Sequence, residues 1–174
     1  MRGLTRAVLV VSGLASTPAL AQYENRALSL SVGYVALHQG VVPVPGIAVG
    51  LGWTHYIDGG FEWTANADAM LLPEPDMTGN IFGVSGGPGL RYLFLQESIR
   101  PWVGVALSYL LLFHSDQSWN HLGLGPSMGL DFFLTRQISL GVKGRLDFYA
   151  VLRDREPIAL RISSGGALVG SAWF

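Results

Sequence analysis

The chain has 174 residues, enough for one domain with a sizeable core, but only 13% of them are charged. This charged share is about half that of an ordinary globular domain, and the formal net charge of −1 offers no basic surface, so no nucleic-acid partner is expected. Because the sequence has no cysteine, disulfides, thiolate nucleophiles and zinc–thiolate sites are excluded.

The N-terminal segment has the three-part pattern of a secretory signal peptide. Two arginines lead into an apolar run, Ala7–Leu14, and the small-residue site Ala19-Leu20-Ala21 follows. The run is too short to span a bilayer comfortably. We therefore predict a cleaved signal peptide over residues 1–21 and a mature domain over residues 22–174.

The mature domain is predicted to consist of strands. None of its segments offers the roughly 20 unbroken apolar residues of a membrane helix. Eight segments instead alternate between apolar and small or polar residues, which is the period of a strand with two different faces. In chain order they cover residues 26–37, 46–56, 61–72, 81–94, 99–113, 121–133, 138–149 and 158–174, and the last alternates least cleanly. Asp58-Gly59-Gly60 is a strong hairpin signal between the second and third.

The predicted strands are about ten residues long, the length that crosses a bilayer when tilted. Their connections are predicted to be tight around Asp58, Gln96 and Thr135 and longer around Gln39, Pro75, Ser115 and Asp154. Short turns at the end that carries the termini, with longer loops opposite, are typical of a membrane barrel. Since proline cannot donate to a strand ladder, Pro88, Pro101 and Pro126 are predicted to mark bulges or strand starts.

The charged residues within the strands indicate which face is wet. They lie on the parity opposite the apolar residues, four acidic and four basic: Glu62, Asp68, Arg91, Asp131, Lys143, Arg145, Asp147 and Arg161. An inward apolar parity would overfill an eight-stranded barrel with aromatic rings, because its interior is only just wide enough for side chains. We therefore predict an all-β fold, an eight-stranded antiparallel up-and-down transmembrane β-barrel with these charges in its lumen. A soluble lipocalin-like barrel with an apolar interior is the rival.

Aromatic residues of the apolar parity sort toward the strand ends, as expected for girdles at two bilayer interfaces. If successive strands run up and down, the periplasmic girdle comprises Trp53, Phe61, Trp63, Tyr92, Phe94, Phe132 and Phe174. The outer girdle comprises Tyr34, Phe82, Tyr109, Phe113 and Phe148.

Two consecutive segments resemble the small eight-stranded outer-membrane β-barrel proteins, the broad OmpA/OmpX/OmpW-like group. GGPGLRYLF (Gly86–Phe94) and IRPWVGVALSY (Ile99–Tyr109) are similar to that group's glycine-rich strand, tight turn and following aromatic-Val-Gly strand. Phe174 resembles the C-terminal aromatic residue that the barrel-assembly machinery reads. The resemblance implies the cell outer membrane as location, with the lipid bilayer, lipopolysaccharide, the assembly machinery and periplasmic chaperones as partners.

Three classes of function stay open. We favour a non-enzymatic barrel with a structural, envelope-integrity or surface-interaction role, its lumen largely plugged by charges that pair because unpaired buried charges are costly. The alternative is a narrow channel or a binder for a small, possibly hydrophobic molecule, as the OmpW-like resemblance implies. The third is a lipid A-modifying enzyme.

The segment HSDQSWNH, His114–His121, is the cluster that suggests catalysis or metal binding. Lipid A deacylases use a His and a Ser near the outer rim of a similar barrel, but the order here does not clearly match their His-x-Ser-Asn pattern. His114, Asp116 and His121 are also candidate weak metal ligands. A solvated polar loop is the preferred interpretation. We therefore predict no catalytic residue, no metal and no cofactor.

Overall fold

The described part of the chain folds into one closed barrel. The computed structural model describes residues 24–39, 42–73, 79–95, 97–115, 117–152 and 160–174; the predicted signal peptide, residues 1–21, lies outside these ranges. The strands are β1 (Arg26–Gln39), β2 (Val42–Asp58), β3 (Phe61–Pro73), β4 (Asn80–Leu93), β5 (Ile99–His114), β6 (Gln117–Phe133), β7 (Ile138–Leu152) and β8 (Leu160–Trp173). Each pairs antiparallel with its neighbours in sequence, and β1 pairs with β8, which confirms the predicted up-and-down topology. Within the described ranges, no helix is long and apolar enough to cross a bilayer.

The β2–β3 hairpin confirms the turn predicted from Asp58-Gly59-Gly60. Gly59 and Gly60 have φ angles of 60° and 87°, which glycine adopts without the steric cost that a Cβ would bring. Two consecutive positive φ angles suit the right-handed twist of the flanking strands. The Gly59 N–H also donates a hydrogen bond of 2.7 Å to the Asp58 carboxylate.

Six of the eight strands are longer than their predicted segments, and the observed lengths run from 13 residues in β3 to 17 in β2 and β6. The strand β4 keeps its predicted length of 14 residues, and β8, also of 14 residues, is shorter than predicted. Because β1, β2, β5 and β6 are longer than predicted, only residues 40–41 and 115–116 separate β1 from β2 and β5 from β6, so the longer connections predicted there were wrong. The ladders continue past the alternating segments into residues such as His38, which pairs with Pro43. Backbone pairing does not require alternation, and the sequence pattern therefore underestimates strand length.

The prolines interrupt ladders without shifting them. Around Pro88, the β4–β5 ladder has the same register on both sides of the interruption, and the β6–β7 ladder behaves in the same way around Pro126. The predicted bulges were wrong at these two positions, whereas Pro101 does lie close to the start of β5. Pro88 and Pro126 keep their pairing with the strand on their other side, β3 and β5 respectively.

The apolar parity faces outward all around the barrel. Leu30 in β1, Leu51 in β2 and Leu168 in β8 are among its exposed residues, whereas Glu62 in β3 is completely buried. An outward apolar surface is stable in lipid, and a closed sheet leaves no strand edge without hydrogen bonds there. The transmembrane prediction is therefore confirmed over the soluble lipocalin-like rival, and the register of β8 is now defined.

Candidate functional site: the barrel lumen

Four of the predicted charged residues meet in the middle of the lumen. The Arg145 guanidinium and the Lys143 ammonium, both on β7, lie 3.5 Å and 3.9 Å from the Asp68 carboxylate on β3. Since β3 and β7 are not neighbours, these contacts cross the interior. Arg145 also pairs with Asp147 at 2.6 Å, and the Lys143 ammonium donates to the Ser31 hydroxyl at 3.3 Å. We call Asp68, Lys143, Arg145 and Asp147 the central charge layer.

Three further charged residues, Glu62, Arg91 and Asp131, form a second group nearer the chain termini. Arg91 contacts both carboxylates. Its Nε donates to a carboxylate oxygen of Glu62, its ladder partner on β3, and its Nη1 lies 3.4 Å from the Asp131 carboxylate on β6. The guanidinium also lies 5.1 Å from the ring centroid of Trp102, close enough for a cation–π interaction. We call Glu62, Arg91 and Asp131 the terminal charge layer.

Arg161, the remaining predicted charge, lies beyond both layers, opposite Tyr149 in the β7–β8 ladder. Sequence analysis missed Arg100, which is buried at the start of β5, 4.2 Å from the ring centroid of Phe133 and 5.6 Å from that of Trp173. Its parity matches that of Trp102, so the alternation of β5 could have identified it. The lumen charges are consequently not balanced four against four as predicted.

Glycines on neighbouring strands make room for the lumen carboxylates. A Cβ at Gly50 would collide with the Asp68 carboxylate, and one at Gly141 would collide with that of Asp131. Both glycines are ladder partners of the acidic residue that they accommodate. Because glycine has no side chain, a long polar side chain opposite a glycine fills the narrow interior without overpacking it. This explains the many glycines on the inward parity.

The part of the lumen farthest from the termini is apolar, which sequence analysis did not predict. Its buried side chains pack together: Val35, Leu37, Met70, Leu72, Ile81, Leu110, Leu112 and Tyr149. We call these residues the distal apolar cluster, and we call this end of the barrel the distal end. The sequence signal was a local loss of alternation, since the runs Met70–Leu72 and Leu110–Phe113 are apolar on both parities.

Two cavities of about 70 Å³ each lie on either side of the central charge layer. The distal cavity lies between that layer and the side chains of Val35 and Met70. The terminal cavity is lined by Arg91 and Asp131 and by several hydroxyl side chains. Because Lys143 and Arg145 line both cavities, the central charge layer is the partition between them.

The predicted girdle residues occupy the outward face, many of them in cross-strand pairs. At the terminal end, the rings of Phe61 and Tyr92 lie 5.0 Å apart, and at the distal end those of Phe82 and Phe113 lie 6.2 Å apart. Trp53 is partly buried. The other exposed members are Trp63, Phe94, Phe132, Tyr34, Tyr109, Phe148 and Phe174.

The His114–His121 segment is not the solvated loop that was predicted. Its described residues belong to β5 and β6 apart from Ser115, and Asp116 lies outside the described residues. The His114 ring stacks on Trp119 with 6.5 Å between centroids, and His121 is completely buried, with its ring 6.3 Å from that of Tyr149. In the part of the chain that the structure describes, no three His, Asp or Glu side chains are grouped to hold a metal ion.

The architecture defines the chain as a small transmembrane β-barrel, and known structures share this fold. Neisserial surface protein A (NspA) is 14% identical over 86% of this chain and 97% of NspA, with a TM-score of 0.69. The outer membrane protein OprG from Pseudomonas aeruginosa is 9% identical over 87% of this chain and 96% of OprG, with a TM-score of 0.53. The outer membrane enzyme PagL is 19% identical over 85% of this chain and 99% of PagL, with a TM-score of 0.52.

At these identities, the likeness establishes the fold that these proteins have in common. No protein-family model and no curated protein sequence matches the chain. The resemblance to eight-stranded outer-membrane barrels that was read from Gly86–Phe94 and Ile99–Tyr109 is thus confirmed as a shared architecture.

Proposed function

We propose that this protein is a non-enzymatic outer-membrane barrel with a structural, envelope-integrity or surface-interaction role, and that its filled lumen does not conduct ions. The observation that carries the proposal is the filling of the lumen by the central charge layer, whose contacts from Asp68 to Lys143 and Arg145 cross the interior, and by the distal apolar cluster on its distal side. Charges in such an interior are stable only when paired and hydrogen-bonded, so these contacts hold the side chains in place across the lumen.

Conductance in planar bilayers tests this proposal. Protein that migrates differently on a detergent gel before and after boiling, and is therefore folded, is expected to leave the bilayer at its background conductance in potassium chloride. Reproducible current steps from the wild-type barrel would overturn the closed lumen. Sensitivity of a deletion strain to detergents, restored by the wild-type gene, would support a role in envelope integrity.

The proposal includes a route to the outer membrane. Residues 1–21 direct export through the Sec pathway and are removed before Gln22, and periplasmic chaperones and the barrel-assembly machinery then insert the chain, using Phe174 as part of the recognition signal. The mature barrel is surrounded by phospholipid and lipopolysaccharide. N-terminal sequencing of protein from the outer-membrane fraction tests this route. A chain that begins at Met1, or one found in the soluble periplasm, would contradict it.

Binding of a small hydrophobic molecule is the alternative, favoured by the apolar side of the distal cavity at Val35 and Met70. Size argues against it, because about 70 Å³ is less than half of the roughly 150 Å³ of a cavity that holds benzene. Saturable binding of benzene by the detergent-solubilised barrel would revive this alternative.

Lipid A modification is the third possibility, since PagL shows that an enzyme can use this architecture. Mass spectrometry of lipid A after overproduction of the protein tests it. We expect an unchanged spectrum, and the loss of an acyl chain would overturn the non-enzymatic proposal.

A further inference from the structure

The distal apolar cluster lines most of the circumference of the lumen, with β8 the only strand that contributes no member among the described residues. Its buried members come from β1, β3, β4, β5 and β7, and the partly buried Val44, Ala48 and Trp119 on β2 and β6 pack against them. Seven consecutive strands thus contribute apolar side chains at one level of the barrel. Leu37, Leu72, Leu110 and Leu112 are among the largest fully buried side chains of the described chain.

The central charge layer, unlike the distal apolar cluster, lies between two cavities that can hold water. A cavity of about 70 Å³ is well above the roughly 10–15 Å³ needed to hold one water, and the hydroxyl and charged groups around the two cavities offer water partners. The central charge layer is therefore wettable from both sides. Apart from the Tyr149 hydroxyl, the distal apolar cluster offers water no such partners, and apolar constrictions close pores because water leaves them.

We propose that the distal apolar cluster is the permeability seal of the lumen, and that the central charge layer beneath it is hydrated and stabilises the barrel without setting its permeability. This inference rests on the proposed closed lumen and specifies which layer closes it. Solute entry from the distal end is thereby stopped before the central charge layer.

The test compares three paired variants in planar bilayers with potassium chloride. Leu110→Ala/Leu112→Ala removes two inward side chains of the seal on β5. Leu107→Ala/Leu111→Ala is the matched control, because it makes the same change on the outward parity of that strand. Asp68→Asn/Lys143→Met removes a cross-lumen charge pair and leaves the seal intact. Each variant is first checked for heat-modifiable migration, which shows that it is folded. If a double variant does not fold, cysteine labelling tests the inference in its place.

We expect current steps from the seal variant alone. Silence of a folded seal variant, or conductance of the charge variant, would overturn the inference while the closed lumen survived. Conductance of the wild type would instead overturn the proposed function itself, so the two failures are distinguishable.

Cysteine labelling tests the same inference without weakening the cluster, and the chain has no native cysteine to interfere. Ser163→Cys places a thiol in the distal cavity, beneath the seal, and Ser115→Cys places one at the exposed position that follows β5. With a charged methanethiosulfonate reagent confined to the distal side of proteoliposomes, we expect rapid labelling at position 115 and none at 163. Equal labelling rates would show that the cluster does not seal the lumen.

Discussion

Replacing Arg91 by Met gives the most direct test of the buried electrostatics. The Arg91 guanidinium holds two carboxylates at once, bonding to Glu62 and lying 3.4 Å from Asp131. Its side chain is 12% exposed and that of Glu62 is 0% exposed, so solvent screens the pair little. Methionine preserves much of the unbranched stem and removes only the charge and its donors. The variant therefore leaves the Glu62 carboxylate buried without its cation.

Removing one partner of a buried ion pair costs about 3–5 kcal/mol, chiefly because the remaining charge is uncompensated. We expect Arg91→Met to lower the free energy of unfolding by this amount. If the uncompensated carboxylate is the cause, adding Glu62→Gln should recover part of the loss. The double variant should then cost about 2–3 kcal/mol less than the sum of the two single variants, the upper range for groups in direct contact.

The assay is urea-induced unfolding in phospholipid vesicles, followed by the fluorescence of the chain's five tryptophans. Arg136→Met, in the exposed β6–β7 turn, is the matched control and should change the unfolding free energy by no more than about 0.5 kcal/mol. A loss below about 1 kcal/mol for Arg91→Met, against the 3–5 expected, would refute the reasoning, as would additive effects in the Glu62 cycle. Either result would mean that water already compensates the carboxylate.

Three further predictions use the same unfolding assay. Leu51→Arg, at the middle of β2, should lower the free energy of unfolding in lipid by about 2–4 kcal/mol. Leu134→Arg, in a turn and equally exposed at 63%, should lower it by about 0–1 kcal/mol. Equal costs for the two variants would contradict a bilayer around β2. Gly59→Ala should cost about 1–2 kcal/mol because the φ of 60° strains an L-residue, and an unchanged midpoint would contradict this. Gly125→Ala should cost about 1–3 kcal/mol, because the new Cβ would collide with β7. Gly144→Ala should be tolerated, because its new Cβ would have open space around it. A larger cost for Gly144→Ala than for Gly125→Ala would contradict the packing described for β6 and β7.

The two faces of the barrel were predictable because their signal is local. Side chains alternate across a strand whatever the strand packs against, so the opposite parities of Phe61 and Glu62 could be read from neighbouring letters. The Asp58-Gly59-Gly60 hairpin was predictable for the same reason, since its backbone angles depend on the residues in the turn. The outward face therefore follows from alternation together with the small volume that eight strands enclose.

Contacts across the lumen could not be predicted in this way. The meeting of Asp68 with Arg145 depends on the stagger of strands that are four positions apart around the barrel, and each intervening ladder contributes to that stagger. The buried Arg100 was missed although its parity was readable and the start of β5 was predicted correctly, because its burial depends on the rings of Phe133 and Trp173, which other strands bring to it. The distal apolar cluster was missed because alternation fails where both faces of a strand are apolar.

The sequence by itself therefore determined the strand number, the up-and-down order and the lipid-facing parity, all of which depend on residues close together in the chain. The tertiary structure alone decided which charges pair, that Arg91 joins two carboxylates, and that an apolar layer lies beyond the charged ones. These features depend on closure of the sheet, because only closure brings side chains from distant strands to the same level of the lumen.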